Sequence, residues 1–211
     1  TTLLEVASGA LRPSTGAVRW FGGETWTVGV RARLGFVPDV PGIPPLLTVA
    51  QALRLFASLS GMPPATGRIR IAMRLKQLRL DGLADTEVRK LSRGNLVRVG
   101  LAQALLGEPD LLLMDETFAP LDPQAQVEAR QVIREEAARG AAILISSHQL
   151  DQLEQVADRV LLLHDGVLGP PIEPGEFRRR RGGSPDAVPE SSLEAILLGH
   201  VDQARAGQMA D

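Results

Sequence analysis

Two adjacent carboxylates, Asp115 and Glu116, are the residues of this chain best suited to chemistry on a phosphate. They follow the apolar run Leu111–Met114, which is too short for a helix and typical of a buried strand in a parallel sheet. Ligands bind beyond the carboxyl ends of such strands. There, one carboxylate can hold a hydrated Mg²⁺ and the next can orient or deprotonate an attacking water. Taken alone, however, the pair favours a simpler interpretation, a solvated strand end that carries two acids.

A second apolar run brings a histidine to the same edge. Residues Ala141–Ile145 are a second candidate for a buried strand, and His148 follows them. An imidazole in that position can reach a terminal phosphate. A single histidine is more often a surface or capping residue, so His148 gains weight only from its neighbours.

The segment between these two strands has the pattern of a capped helix. Asp122 is a candidate N-cap with Pro123 at the first helical position, Gln124–Arg139 has amphipathic periodicity, and Gly140 ends the helix. Strand, helix and strand together predict a βαβ unit. This unit would place four side chains along one edge of the sheet: Asp115, Glu116, Asp122 and His148.

A short turn at Ser92 and Gly94 has the composition of a phosphate contact. It precedes a predicted helix over Asn95–Leu106, whose N-terminus would offer free N–H groups and a partial positive charge. Gly94 would let a phosphate approach the backbone, and the Ser92 hydroxyl would add a donor. If the segment stood alone, an ordinary serine cap with a glycine turn would be the better interpretation.

In this order and spacing, the segments resemble the nucleotide-binding domain of an ATP-binding cassette (ABC) protein. The resemblance covers Thr1 to about Gly169, and no single motif would be specific without the others. The matching segments are 91–95 (signature motif), 111–116 (Walker B with its catalytic Glu116), 119–122 (D-loop), His148 (switch histidine), 1–16 (the residues after the Walker A lysine), 35–39 (Q-loop) and 47–49 (start of the helical subdomain).

Three positions depart from the family pattern. Arg93 replaces the first signature glycine and Asn95 the signature glutamine, while Ser92 and Gly94 keep the motif recognisable. Asp39 stands where the family usually has glutamine. This carboxylate could still bind Mg²⁺, but it would add repulsion near phosphates.

The Gly-rich phosphate loop with its lysine is not in this sequence, which starts at Thr1. We expect truncation rather than a natural pseudo-ATPase. The resemblance implies an α/β P-loop NTPase (RecA-like) core with a parallel sheet, its N-terminal strands missing, plus an ABC helical subdomain at about 48–108. It implies an ATPase domain over 1–169, and we expect a linker with a basic run (178–181) and a tail helix (191–198) within 170–211. The sequence also predicts further elements, which are strands over Ala17–Phe21 and Leu34–Val37, helices over Thr1–Ala10, Thr48–Leu59 and Arg68–Leu80, and a hairpin around Asp165-Gly166.

The resemblance also implies a composite site in which ATP·Mg²⁺ is sandwiched between two such domains. One domain would contribute Asp115, Glu116 and His148, and the other Ser92 and Gly94. The implied nucleotide contacts are Thr1, Thr2, Asp39, Ser92, Gly94, Asp115 and Asp122, with Thr1, Asp115 and possibly Asp39 holding Mg²⁺, and Glu116 and His148 catalytic. The implied partners are a second ABC ATPase domain, in a homodimer or heterodimer, and the transmembrane permease of a bacterial exporter, which would hold the chain at the cytoplasmic face of the membrane.

Composition limits the other classes. The 211 residues are 44% hydrophobic with a net charge of −2 and 3% aromatic residues, which argues against a nucleic-acid binder. The absence of cysteine fits a reducing compartment. Two rivals stay open. A DNA-repair or chromosome-organising ABC protein would need a long coiled coil between Asp39 and Leu91, for which this sequence has no heptads. A non-hydrolysing regulatory subunit is opposed by Glu116 and His148, while Arg93 and Asp39 leave it open.

Overall fold

The computed structural model describes residues 1–23, 26–149 and 153–174. The predicted basic run at 178–181, the tail helix at 191–198 and His200 lie outside the described residues. Residues 1–149 form one compact unit, and the described residues from 153 onwards belong to a second. Each unit is described by itself.

In its described residues, the first unit contains six α-helices and three strands, in the order helix, helix, strand, three helices, strand, helix, strand. Two short 3-10 helices, Asp81–Leu83 and Val88–Lys90, lie between the fourth and fifth α-helices. The helices are α1 (Thr2–Ala7), α2 (Val28–Ala32), α3 (Val49–Leu59), α4 (Pro64–Gln77), α5 (Arg93–Ala104) and α6 (Pro123–Ala138). The strands are β1 (Leu34–Val37), β2 (Leu111–Asp115) and β3 (Ala142–Ser146).

The three strands form a parallel sheet in the order β1-β2-β3. The central strand β2 is buried, with Leu112, Leu113 and Met114 at most 1% exposed. The sheet is the predicted one, and its strand bounds agree with the predicted bounds within one residue. Because all three strands run the same way, their carboxyl ends meet at one edge, which we call the carboxyl edge.

The prediction that β3 is buried is wrong. It pairs with β2 at the edge of the described sheet, and its side chains are half-buried or exposed, with Leu144 37% exposed. The apolar run resembled a central strand because periodicity reports apolar content and not the position of a strand within its sheet.

A second wrong prediction is the strand over Ala17–Phe21. Only Trp20 pairs there, in an isolated bridge to Gly23, because Phe21 and Gly22 both have positive φ and turn the chain back at once. The Trp20 indole donates to the carbonyl of Ala7 at 2.7 Å and packs edge-on against Trp26, with ring centroids 4.9 Å apart. The two tryptophans therefore pack on each other.

The predicted helices are present with shifted ends. α4 begins at Pro64, four residues before the predicted start at Arg68, because Pro64 occupies the first helical position. α1 ends at Ala7, since Gly9 has φ +74, and α2, capped by the Thr27 hydroxyl, was not predicted. The caps at Ser92 and Asp122 are present: each side chain accepts the N–H three residues on.

Helices α3, α4 and α5 form the helical part of the unit and are fastened to the sheet by close packing and charge. A Cβ on Gly100 of α5 would lie 2.8 Å from Pro41 Cγ, so that only glycine permits this approach to the segment after β1. The buried guanidinium of Arg74 on α4 lies 2.7 Å from the buried carboxylate of Glu136 on α6. These contacts join α5 to the segment after β1 and α4 to α6.

The second unit contains an antiparallel hairpin of β4 (Leu163–His164) and β5 (Val167–Leu168), extended by a bridge between Val160 and Ile172. Asp165 and Gly166 form its turn, both with positive φ, as the Asp-Gly pair predicted. Among the described residues, none of the helices has the length and apolar character needed to cross a bilayer.

Candidate active site

Asp115 ends β2 at the carboxyl edge and is 1% exposed. The register pairs it with Ser146, the last residue of β3, whose hydroxyl donates to Asp115 Oδ1 at 2.6 Å. Burial raises the pKa of Asp115, but the hydrogen bonds from Ser146 and Thr1 and the nearby amino-terminal charge outweigh it, so that the pKa lies below its ordinary value. The carboxylate is therefore charged at neutral pH.

Thr1 lies beside Asp115, with its amino nitrogen 3.4 Å from Oδ1. The Thr1 side chain also forms a hydrogen bond with this carboxylate, so a hydroxyl lies beside it. Thr2 is the first residue of α1 and is exposed. No cluster of three or more acids or histidines that could hold a metal occurs in the described ranges. One buried carboxylate with a hydroxyl beside it fits Mg²⁺, which binds proteins through one or two carboxylates and takes its other oxygens from water and phosphates.

Glu116 follows β2 in a left-handed conformation, with φ +48. This conformation costs about 1 kcal/mol for a residue other than glycine. The Glu116 N–H donates to the Ser146 carbonyl at 3.1 Å and approaches the Ser146 hydroxyl at 3.3 Å, and these bonds hold the turn. A strained residue directly after a buried strand is a common feature of functional sites.

The structure brings Glu116 and His148 together. Glu116 Oε2 accepts from the His148 backbone N–H at 3.3 Å, and His148 Nε2 lies 3.3 Å from Glu116 Oε1. The side chain of Glu116 is 21% exposed and that of His148 95% exposed. A carboxylate that is half-buried and restrained can orient a water molecule, and the open imidazole beside it can reach a ligand from solvent.

The signature turn and the D-loop segment contact each other. A Cβ on Gly94 would lie 3.0 Å from the Pro120 carbonyl oxygen, so glycine allows the turn to pack against this loop. Asp122 Oδ1 accepts the N–H of Ala125 at 2.8 Å and caps α6. Ser92 is exposed and its hydroxyl accepts the Asn95 N–H at 3.2 Å. Within the described residues, no hydrogen bond joins Ser92 to Asp115 or Glu116.

Two features escaped the sequence reasoning. The first is the role of Ser146, which holds both Asp115 and Glu116; its signal was a hydroxyl placed directly after an apolar strand. The second is an ion pair of 3.0 Å between Arg93 Nη2 and Asp39 Oδ1. The sequence had marked both residues as departures, and their opposite charges were the signal that they belong together.

A cavity of about 330 Å³ lies at the amino-terminal end of the strands, lined by residues that include Leu34, Gly35 and Pro109. None of the candidate site residues lines this cavity. The chemistry-bearing side chains lie instead at the carboxyl edge, as expected for a parallel sheet.

The family model described as ABC transporter matches residues 1–119. The Nod factor export ATP-binding protein I of Burkholderia orbicola (strain AU 1054) is 32% identical over 200 residues, which cover 94% of this chain and 62% of that protein. An uncharacterized ABC transporter ATP-binding protein of Nostoc sp. (strain PCC 7120) is 34% identical over 171 residues, covering 80% and 51%. The chain thus spans between about half and two thirds of the length of these relatives.

Solved structures agree on the fold. An ATP binding subunit of an ABC transporter superposes with a TM-score of 0.77 at 29% identity, covering 88% of this chain and 79% of the other. A dimeric ATP-binding cassette solved in a post-hydrolysis state with ADP and Pi has a TM-score of 0.74 at 22% identity, covering 82% and 79%. The family model over more than half of the chain, the relatives and the fold together show that the chain belongs to the ABC transporter family and has the fold of its ATP-binding domains.

Proposed function

We propose that this chain is the ATP-binding and ATP-hydrolysing part of an ABC exporter. The observation that carries the proposal is the arrangement at the carboxyl edge, where buried Asp115, strained Glu116 and exposed His148 lie together. The ATP-binding domain would span residues 1–169, with a helical subdomain at about 48–108. The export function of the Burkholderia relative supports the direction of transport.

The residues divide the chemistry as follows. Asp115, kept charged by Ser146, and the Thr1 hydroxyl would hold Mg²⁺, which would neutralise phosphate charge when bound. Glu116 orients the attacking water and accepts its proton. The backbone N–H of His148 restrains the Glu116 carboxylate. The imidazole of His148, which is 95% exposed beside Glu116, would donate to the terminal phosphate. Positioning and electrostatics then lower the barrier.

The other half of the site would come from a second ATPase domain. Ser92 is exposed at the N-terminus of α5, where helix N–H groups favour an anion. The Ser92 side chain is exposed and, among the described residues, forms no hydrogen bond with Asp115 or Glu116, which supports its use by a nucleotide held by a partner. The dimer with ADP and Pi formed by a cassette of this fold supports such an arrangement. Asp122, next to the signature turn, would lie at the same interface.

The segment over residues 40–80 is the best candidate for contact with a membrane permease. It contains no acid but six cationic side chains, and three of these are neutralised by Glu108, Glu136 and Glu128 of other elements. In the described part of the chain, no ion pair involves the remaining three, Arg54, Arg68 and Lys76, all exposed. Val40 and Leu46, 67% and 70% exposed, flank the start of this region. A permease bound here would hold the domain at the cytoplasmic face of the membrane.

Nucleotide hydrolysis by the protein expressed from its complete coding sequence tests the proposal. We expect hydrolysis to require Mg²⁺. We expect His148→Ala to lower kcat by about 100-fold, the usual effect of removing one donor from a developing charge, and to leave ATP binding nearly unchanged. His164→Ala in the β4–β5 hairpin makes the same chemical change outside the site and should keep full activity. Equal hydrolysis by the two variants would contradict the role of His148. If the wild-type protein binds ATP but does not hydrolyse it, the result would favour the regulatory alternative.

A further inference from the structure

Three carboxylates converge on the carboxyl edge, and each has a cation or donor beside it. Asp115 has Thr1, Glu116 has His148, and Asp39 has Arg93. Val37, the last residue of β1, pairs with Met114, the residue before Asp115. Asp39 follows Val37 by two residues. Asp39 therefore stands on the edge where the proposed function places nucleotide phosphates, and an unbalanced charge there would repel them.

Arg93 does not stabilise the helix that it begins. It is the first residue of α5, and a cation at a helix N-terminus opposes the helix dipole. Arg93 and Asp39 are 65% and 42% exposed, and ion pairs with this exposure contribute little to folding stability. A residue that breaks a local rule without stabilising the fold is expected at a functional site.

The pair is also not needed to hold α5 against the segment after β1. The contact between Gly100 and Pro41 joins the same two elements without any charge. Removal of either charge should therefore leave Ser92 in place. The Arg93 guanidinium balances the negative charge of Asp39.

We propose that Arg93 is the charge-balancing partner of Asp39 in the ATP site, and that the Asp39–Arg93 pair makes a carboxylate tolerable beside nucleotide phosphates. Arg93 acts through Asp39 and is a positioning residue, not a catalytic one. The inference rests on the proposed function, because it concerns the same composite site. It explains two departures from the family pattern by one contact.

The test measures ATP-driven association in the Glu116→Gln background, by sedimentation of the protein expressed from its complete coding sequence. Arg93→Ala should raise the protein concentration for half association about fivefold, the size of one charge interaction at 4 Å in bulk water. The added change Asp39→Asn should restore association, because it removes the charge that Arg93 balances. Arg93→Lys should associate normally, and the defect of Arg93→Ala should shrink as salt is raised.

The pair Arg33–Asp110 provides the matched control. Its members are 51% and 49% exposed and lie at the start of β1 and β2, at the opposite edge. The double variant Arg33→Ala/Asp110→Asn should leave association unchanged. Normal association of Arg93→Ala, or failure of Asp39→Asn to restore it, would overturn the inference, the second result by showing that Arg93 contacts the nucleotide itself. If Glu116→Gln alone shows no ATP-driven association, the proposed function fails, and this inference with it.

Discussion

The buried ion pair between Arg74 and Glu136 gives the sharpest stability prediction. Arg74 is 2% exposed and Glu136 5% exposed. Arg74 Nη1 donates to Glu136 Oε1 at 2.7 Å and to Gln77 Oε1 at 3.0 Å, while its Nε has no partner among the described residues. Glu136 Oε2 accepts two further bonds from Arg139, at 2.9 and 2.7 Å. Glu136 therefore keeps a charged partner when Arg74 is removed, whereas Arg74 loses its only charged partner when Glu136 is removed.

This asymmetry sets the magnitudes. Glu136→Leu leaves a buried guanidinium with only the neutral Gln77, and such an uncompensated charge costs about 3–5 kcal/mol. Arg74→Met leaves Glu136 with both bonds from Arg139, so its cost should be closer to that of a partly unsatisfied buried group, about 1–3 kcal/mol. The double variant Arg74→Met/Glu136→Leu removes both charges and should be more stable than Glu136→Leu alone.

Urea denaturation followed by circular dichroism checks these values on the intact protein. The free energy of unfolding should fall in the order wild type, Arg74→Met, Glu136→Leu, with the double variant above the last. Equal losses in the two single variants, or a double variant whose loss equals their sum, would refute the reasoning, because either result would mean that the charges are not coupled in a buried environment.

Three further predictions concern the edge of the sheet and its caps. Asp122→Ala removes the side-chain acceptor at the start of α6 and should lower the free energy of unfolding by about 1 kcal/mol; an unchanged urea midpoint would contradict this. Because the folded pKa of Asp115 lies below its ordinary value, this residue stabilises the fold above the unfolded pKa, and the contribution is lost as the pH falls through the folded pKa. Stability of Asp115→Asn should accordingly vary less with pH in the acid range than that of wild type, and an identical pH profile would be the contrary result. Ser92→Arg should weaken ATP-driven association while sparing ATP binding by the single domain, so normal association in light scattering would exclude the proposed use of Ser92.

The sheet could be predicted because its strands carry their own signals. Leu111–Met114 is too apolar for a surface loop and too short for a helix. The cap at Asp122 with the proline after it predicts the start of α6 correctly. Asp115, Glu116 and His148 could be placed on one edge from these elements alone, since parallel strands end on the same side. Local pattern and sheet direction were sufficient there.

Contacts between distant segments could not be predicted. Three contacts join residues far apart in sequence, and none of them follows from a local pattern. They are the Asp39–Arg93 ion pair, the hydrogen bonds of Ser146 and the Arg74–Glu136 ion pair. The strand predicted at Ala17–Phe21 failed for a related reason: β-propensity depends on a partner strand, and here the chain turns at Phe21 instead. The sequence thus predicts the helices, the strands and the carboxyl edge better than the ion pairs and hydrogen bonds that connect them.

The most direct test of the account is the behaviour of Glu116→Gln. The substitution removes the carboxylate that orients water but keeps the shape of the side chain, so ATP should bind normally, hydrolysis should almost cease, and the protein should accumulate as an ATP-bound dimer in size-exclusion chromatography with light scattering. Glu135→Gln, the same change in an exposed acid on α6, should hydrolyse ATP at the wild-type rate. Hydrolysis by Glu116→Gln within a few-fold of wild type, without a stable dimer, would contradict the central claim that this edge is the hydrolytic site.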